Sequence, residues 1–180
     1  MSLGISGIIT PLPPVTLVLG GARSGKSRFA EQLLDQHPGA RVYLATAEIL
    51  DEEMAERVRL HRARRDADCR TREEPLALAE AIVAETAKGA AVLVDCLTLW
   101  LGNLLGRARD VEAESNALLA AVGQFGGPVI FVASEVGLGI VPDNALARAF
   151  RDHAGRLHQR LAAKAESVFL VAAGLPLKLK

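Results

Sequence analysis

The chain has 180 residues, half of them apolar, enough to bury a sizeable core in one domain. Its 21 lysines and arginines balance 21 aspartates and glutamates, which excludes a global field that would draw nucleic acid or an anionic membrane surface. Aromatic residues make up only 4%, leaving few platforms on which single-stranded bases could stack.

Residues 1–14, MSLGISGIITPLPP, have no basic leading region, and Pro11, Pro13 and Pro14 break their apolar stretch. They read as a flexible lead-in rather than a signal peptide or a membrane span, with one domain over 15–180. The first buried strand is expected at Val15–Leu19, followed directly by GGARSGKS at 20–27. Gly20, four residues, then Gly25, Lys26 and Ser27 form the phosphate-loop pattern, and a helix pattern over Lys26–Gln36 supplies the context that gives the pattern a mechanism. Glycines let backbone N–H groups converge on phosphates, the helix N-terminus adds positive partial charge, Lys26 reaches the terminal phosphates and Ser27 ligates Mg2+. A chance match in a chain of this length is roughly a 0.5% event.

A second strand is expected at Val42–Ala45, then a helix over Ile49–Arg65. Its apolar stripe runs Leu50, Met54, Val58, and the next step of three lands on His61. Two roles fit His61: a satisfied core residue, or a nucleophile toward a nucleotide's α-phosphorus, with Arg62, Arg64 and Arg65 suited to the charge on the phosphate oxygens. Another helix is expected over Pro75–Ala87 and a third strand at Ala91–Val94, ending in Asp95. Two roles also fit Asp95: the carboxylate that holds magnesium through water in phosphate-loop enzymes, or an N-cap for the helix Leu97–Leu105. Helix Val111–Phe125, strand Val129–Ala133, helix Asn144–Lys164 with Asp143 as N-cap, and strand Val168–Ala172 follow. A last short edge strand, Leu175–Leu179, is shaped by Pro176.

Strands alternating with helices of this length imply an α/β fold, an open and mostly parallel sheet with helices on both faces, as in P-loop NTPases, with ligands at the carboxyl ends of the strands. The Asn-Lys-x-Asp base-reading motif of guanine-specific switches is absent from the sequence, and its Asp-x-x-Gly match, Asp152–Gly155, falls inside the long C-terminal helix pattern rather than after a strand. His37 lies at a helix end, where an imidazolium favours the dipole, and His153 and His158 belong to the long C-terminal helix, facing solvent or a partner subunit. Cys69 and Cys96 are too far apart for a local CxxC pair, which fits a reducing cytoplasm. The loop SEVGLGIVPDN at 134–144 leaves a strand end near the phosphate loop and reads as a segment that closes over substrate.

GGARSGKS at 20–27, YLATAEILDEEMAERVRLHRARR at 43–65, RTREEP at 70–75, LVDCLTLWLGNLL at 93–105 and SEVGLGIVPDNALARAFRDHAGRLHQRLA at 134–162 occur in one order. Together they resemble the bifunctional adenosylcobinamide kinase/adenosylcobinamide-phosphate guanylyltransferases of cobalamin biosynthesis, over nearly all of the chain from Val15 onward. The resemblance implies phosphorylation of the aminopropanol hydroxyl of adenosylcobinamide by a nucleoside triphosphate, GTP or ATP. GMP then passes from GTP to an enzyme histidine and on to the cobinamide phosphate, with release of pyrophosphate.

By that resemblance His61 is the guanylylated residue. Gly20, Gly21, Ala22, Arg23, Ser24, Gly25, Lys26 and Ser27 hold the triphosphate. Ala45, Thr46 and Ala47 approach the nucleotide, although relatives often carry serine where this chain has Ala47. Arg62, Ala63, Arg64 and Arg65 continue the nucleotide surface, and Glu73 and Asp95 are acidic GTP-site positions. Cys69 stands where many relatives have tryptophan. The resemblance also implies a homotrimer. Two other readings remain open on the residues alone: a simple small-molecule kinase without a covalent step, and a nucleotide-dependent binding protein.

Overall fold

A computed structural model describes residues 11–48, 52 and 68–180. Among these residues the strands pair into a seven-stranded sheet of order β3-β2-β4-β5-β1-β6-β7. The strands are β1 (Val15–Gly20), β2 (Arg41–Ala45), β3 (Cys69–Glu73), β4 (Ala91–Asp95), β5 (Val129–Ser134), β6 (Ser167–Ala172) and β7 (Leu175–Lys178). All pairs are parallel except β6 with β7. The carboxyl ends of β1 to β5 therefore share one edge of the sheet, with Ala45 in register with both Glu73 and Asp95, and Gly20 with Ser134.

Strand alternation divides the core in two. Val15, Leu17, Val42, Leu44, Val92, Val94, Val129 and Phe131 face helices α2 (Leu78–Thr86), α3 (Leu97–Gly106), α4 (Val111–Ala121) and α5 (Ala145–Lys164). Val18, Tyr43, Leu93, Ile130 and Val132 face α1 (Lys26–Leu34), which contributes Ala30 and Leu34. The sheet is thus covered by helices on both faces, as expected of an α/β fold of the P-loop class. Within the larger core Trp100 of α3 is 1% exposed, and its indole N–H donates to the carbonyl of Leu76 at 2.9 Å, so its one polar atom is satisfied.

Helix ends differ from the expected bounds for local reasons. α1 stops at Leu34 because Gln36 and His37 donate to the carbonyls of Leu33 and Leu34, a tightening that precedes Pro38. α2 starts at Leu78 rather than Pro75, since the Glu74 carboxylate already accepts from the N–H groups of Leu76 and Ala77. The segment after α3 ends in an Asp110 cap whose Oδ1 accepts from Glu112 and Ala113 at 3.0 Å each, worth about 1 kcal/mol. α4 ends at Ala121 and passes into a short 3-10 turn, Val122–Gln124. The N-cap of α5 is Asn144, not Asp143: its extended backbone lets Oδ1 accept from Ala147 at 2.7 Å, while the Asp143 carbonyl is taken by the Arg148 guanidinium.

Strand β3 is not among the expected elements, because CRTRE has no apolar run. Its two arginines explain why it pairs nonetheless. Glu85 of α2 is buried, and its carboxylate takes Arg72 at 3.0 Å and Arg70 on the other oxygen, with Lys88 nearby. Burial alone would raise the Glu85 carboxyl, but the Arg72 bond and the charges of Arg70 and Lys88 outweigh it and hold its pKa below the ordinary value. At the opposite edge β7 turns back on β6 through Ala173 and Gly174, with φ of 51° and 79°, the left-handed pair of a two-residue hairpin turn.

Candidate active site

β1 ends at Gly20 because a side chain there would have no room: a Cβ would lie 2.6 Å from the Val171 carbonyl oxygen and 2.5 Å from Ser24 Oγ. The loop then crosses Gly21 to Gly25 and enters α1. Gly25 holds φ 95°, left-handed geometry that glycine adopts without strain, and no side chain caps the helix. The first N–H groups of α1 are therefore free of a side-chain cap, and the helix dipole aims at the loop's concavity. Lys26 Nζ donates to the Gly21 carbonyl at 3.1 Å, folding the ammonium over the same hollow. Gly21, Ala22 and Arg23 are exposed, and Ser24, Lys26 and Ser27 are half-buried. The loop is held from behind by the hairpin turn, whose Gly174 N–H donates to the Ser24 carbonyl at 2.8 Å.

Asp95 closes β4. In phase with Ala91 and Leu93, which belong to the core on the α1 side, its side chain lies on the sheet face that carries α1. Only β5 separates β4 from β1, so the two strands stand about 10 Å apart. The N-cap of α3 is Cys96 and Asp95 makes no cap bond, which removes the capping role as an account of Asp95. Its Oδ2 instead accepts from the Tyr43 hydroxyl at 2.7 Å. The Asp95–Cys96 peptide is cis.

Around that corner Thr46, fully buried, is saturated. Its hydroxyl donates to the Cys96 carbonyl and accepts from the Cys96 N–H, both at 2.8 Å. Its own N–H donates to the Asp95 carbonyl at 3.2 Å, and its carbonyl accepts from Asn103 Nδ2 at 2.8 Å. Asn103 also reaches the Pro75 carbonyl at 3.1 Å, tying the segments after β2 and β3 to α3. Ala45 and Ala47 flank Thr46 half-buried, Arg107 at the C-terminal cap of α3 pairs with Glu48, and Glu73 is exposed at the end of β3. Burial, and then the neighbouring Asp95 carboxylate, push the Cys96 thiol up to about 11, so it stays a neutral thiol.

The structure thus brings Gly20–Ser27, Ala45–Ala47, Glu73 and Asp95 to one edge of the sheet. His61, Arg62, Ala63, Arg64, Arg65 and the helix expected over Ile49–Arg65 lie outside the described residues. The loop after β5 starts beside the phosphate loop, with the Glu135 N–H donating to the Gly20 carbonyl at 3.0 Å, and carries Leu138 and Ile140 at 86% and 97% exposure. Of the two placements expected for His158, solvent or a partner subunit, solvent is excluded. The residue is buried on α5, its Nε2 has no hydrogen-bond partner among the described residues, and burial lowers its pKa against an opposing pull from Glu135.

Sequence reasoning misses Tyr43, Asn103 and Gly174. Tyr43 carries a signal, as the one hydroxyl in an otherwise apolar run. Asn103 carries none, since its role depends on two loops distant in sequence. Among the described residues no group of three or more His, Cys, Asp or Glu side chains could hold a metal by itself, and no helix is long and apolar enough to cross a membrane.

The fold is similar to a solved ATPase domain, with a TM-score of 0.51 at 13% identity over 89% of this chain and 70% of that one. It is also similar to an ATPase from the type III secretion system of pathogenic bacteria, with a TM-score of 0.55 at 11% identity over 92% of this chain and 56% of that one. In sequence the chain is 50% identical over 166 residues to the bifunctional adenosylcobalamin biosynthesis protein CobP of Pseudomonas aeruginosa, covering 91% of this chain and 96% of the relative. It is 44% identical over 179 residues to the bifunctional adenosylcobalamin biosynthesis protein CobU of Salmonella typhimurium, covering 91% and 98%. Residues 16–179 match the family described as cobinamide kinase / cobinamide phosphate guanyltransferase. With that match spanning the sheet from β1 to β7, the chain belongs to the cobinamide kinase/cobinamide phosphate guanyltransferase family.

Proposed function

We propose that one nucleotide site at the carboxyl edge of the sheet serves both activities of this family. In the kinase half, the aminopropanol hydroxyl of adenosylcobinamide attacks the γ-phosphorus of GTP or ATP. The new P–O bond forms as the β–γ bridge breaks, and the nucleoside diphosphate leaves. In the guanylyltransferase half, an imidazole nitrogen of His61 attacks the α-phosphorus of GTP, a P–N bond forms, and pyrophosphate leaves. The phosphate of adenosylcobinamide phosphate then attacks that phosphorus, giving adenosyl-GDP-cobinamide and returning the histidine.

The observation that carries this reading is the shared placement of two groups. The uncapped start of α1, with Lys26 over the loop, and the Asp95 carboxylate lie on one face and one edge of the sheet, a single strand apart. Backbone N–H groups of Gly21–Gly25 bind phosphate oxygens, and Lys26 exchanges the Gly21 carbonyl for the terminal phosphates. Ser27 and Asp95 are hard oxygen donors suited to Mg2+, which binds through one or two protein oxygens plus phosphates and water rather than in a protein cage. When bound, the ion neutralises charge that builds on the phosphates. Ala45–Ala47, Glu73 and Arg62–Arg65 border the nucleotide, the arginines matching charge on the α-phosphate. Leu138 and Ile140, held out by the loop after β5, offer apolar surface to the corrinoid. The enzyme works in the cytoplasm as a homo-oligomer, a trimer by resemblance.

The test uses adenosylcobinamide with GTP labelled at the γ- or the α-phosphate. The γ label is expected in cobinamide phosphate and the α label in the guanylylated product. His61→Ala should keep the first and lose the second by more than the roughly 10²- to 10⁴-fold typical of a lost acid or base. Equal, modest losses in both halves would sink the nucleophilic role.

A further inference from the structure

Asp95 alone does not determine where its carboxylate points, because a strand-terminal aspartate turns freely about χ1 and χ2. Two side chains, one in β2 and one just after it, remove that freedom. Tyr43, 3% exposed and seated in the core on the α1 side, sends its hydroxyl to Asp95 Oδ2 at 2.7 Å. A bond from a neutral donor to a carboxylate is of the strong kind, and a buried phenol ring has little room to follow if the carboxylate rotates. Thr46, three residues on, holds the backbone instead: its N–H bonds the Asp95 carbonyl, and its hydroxyl bonds both backbone groups of Cys96. Every polar group of Thr46 is spent inside the protein, its carbonyl on Asn103.

We infer that Tyr43 and Thr46 are positioning residues that fix the Asp95 carboxylate, Tyr43 by its side chain and Thr46 by the backbone that follows it, the Asp95 carbonyl and Cys96, so that one carboxylate oxygen is held by the protein and the other is presented to the nucleotide's divalent cation. The inference rests on the proposed metal role of Asp95. It assigns Thr46 a task its polar groups can perform, since none is left over for a nucleotide. It also gives a reason for a hydroxyl in an otherwise apolar run, where phenylalanine would fill nearly the same volume. Such a hydroxyl shapes the metal's ligand rather than touching the reacting atoms.

The experiment measures equilibrium binding of a GTP analogue with a non-cleavable α,β bridge to the full chain, in Mg2+ and in EDTA, with Mn2+ binding to the complex followed by electron paramagnetic resonance. In Tyr43→Phe the metal-dependent gain in nucleotide affinity is expected to shrink three- to tenfold and Mn2+ binding to weaken in step. EDTA affinity should stay within twofold of the parent. Thr46→Val should behave the same way and Thr46→Ser should recover; if Thr46→Val fails to fold, Tyr43→Phe decides alone. An equal loss of affinity with and without metal would mean a merely structural role and overturn the inference. So would an unchanged metal-dependent gain in Tyr43→Phe when Asp95→Asn abolishes it. If Asp95→Asn itself leaves that gain intact, the metal role of Asp95 falls and this inference with it.

Discussion

The Gly174 N–H donates to the Ser24 carbonyl at 2.8 Å, so the turn of the C-terminal hairpin is bonded to the loop that precedes α1. The fit around this bond is close: a Cβ on Gly25 would lie 3.1 Å from Gly174 Cα, and one on Gly20 would meet the Val171 carbonyl oxygen at 2.6 Å. Backbone atoms of β6 cannot swing aside as a side chain would. Gly20→Ala is therefore expected to displace the loop and weaken binding of a non-cleavable triphosphate tenfold or more, about 1.4 kcal/mol, by calorimetry. Adding Ser24→Ala relieves the 2.5 Å contact with Ser24 Oγ but not the one with Val171, and should not restore affinity. Unchanged binding in Gly20→Ala would mean the loop is not the phosphate cradle.

The edge strand β3 depends on Glu85. Its folded pKa lies below the ordinary carboxylate value because Arg72, Arg70 and Lys88 overcome the effect of burial. The stabilisation is present above the unfolded value of about 4.3 and is lost as pH falls through the lower folded value. Glu85→Gln should cost about 1–3 kcal/mol at pH 7 by urea unfolding, limited because Arg70 and Arg72 are partly exposed and can rehydrate. The gap between variant and parent should narrow steadily in acid. A pH-independent gap would mean that packing, not charge, holds the strand.

His158 produces the opposite kind of pH dependence to a histidine that gains a partner. Burial lowers its pKa on α5, and Glu135 only partly offsets this. Below about pH 6.5 the unfolded chain takes up a proton that the folded chain resists, so stability falls as pH is lowered through that value. The melting temperature is expected to drop between about pH 7.5 and 5, by about 2–4 °C per kcal/mol for a chain of this size. His158→Leu should flatten that part of the profile. A parent profile that is already flat there would show that the imidazole is hydrated in the folded state.

Much of the sheet is legible in the sequence because buried parallel strands read as apolar runs. Val15–Leu19, Val42–Ala45, Ala91–Val94 and Val129–Ala133 each fall within an observed strand. CRTRE escapes notice since its strand character comes from Glu85, a partner on another element, and no local pattern encodes that. The phosphate loop is legible because its chemistry is local: two glycines, a lysine and a serine at fixed spacing. For Asp95 the sequence leaves two roles open; the capping role falls because α3 takes Cys96 as its N-cap, and the carboxylate's partner, the Tyr43 hydroxyl, is distant in the chain and adjacent in the sheet. The expected N-cap of α5 is off by one residue because Asp143 and Asn144 cap equally well in principle, and only the backbone turn selects Asn144. The burial of His158 is legible in the helical period, since with Ala154, Leu157 and Leu161 it lies on the one face of α5 that packs inward.

The most direct measurement is to incubate the enzyme with α-labelled GTP and Mg2+ in the absence of corrinoid, then digest it and locate the label by mass spectrometry. The account predicts a guanylyl adduct on His61, labile in acid and stable in base as a phosphoramidate is, that chases into product when adenosylcobinamide phosphate is added. Label on another residue, or product formation with no adduct at any time, would contradict it.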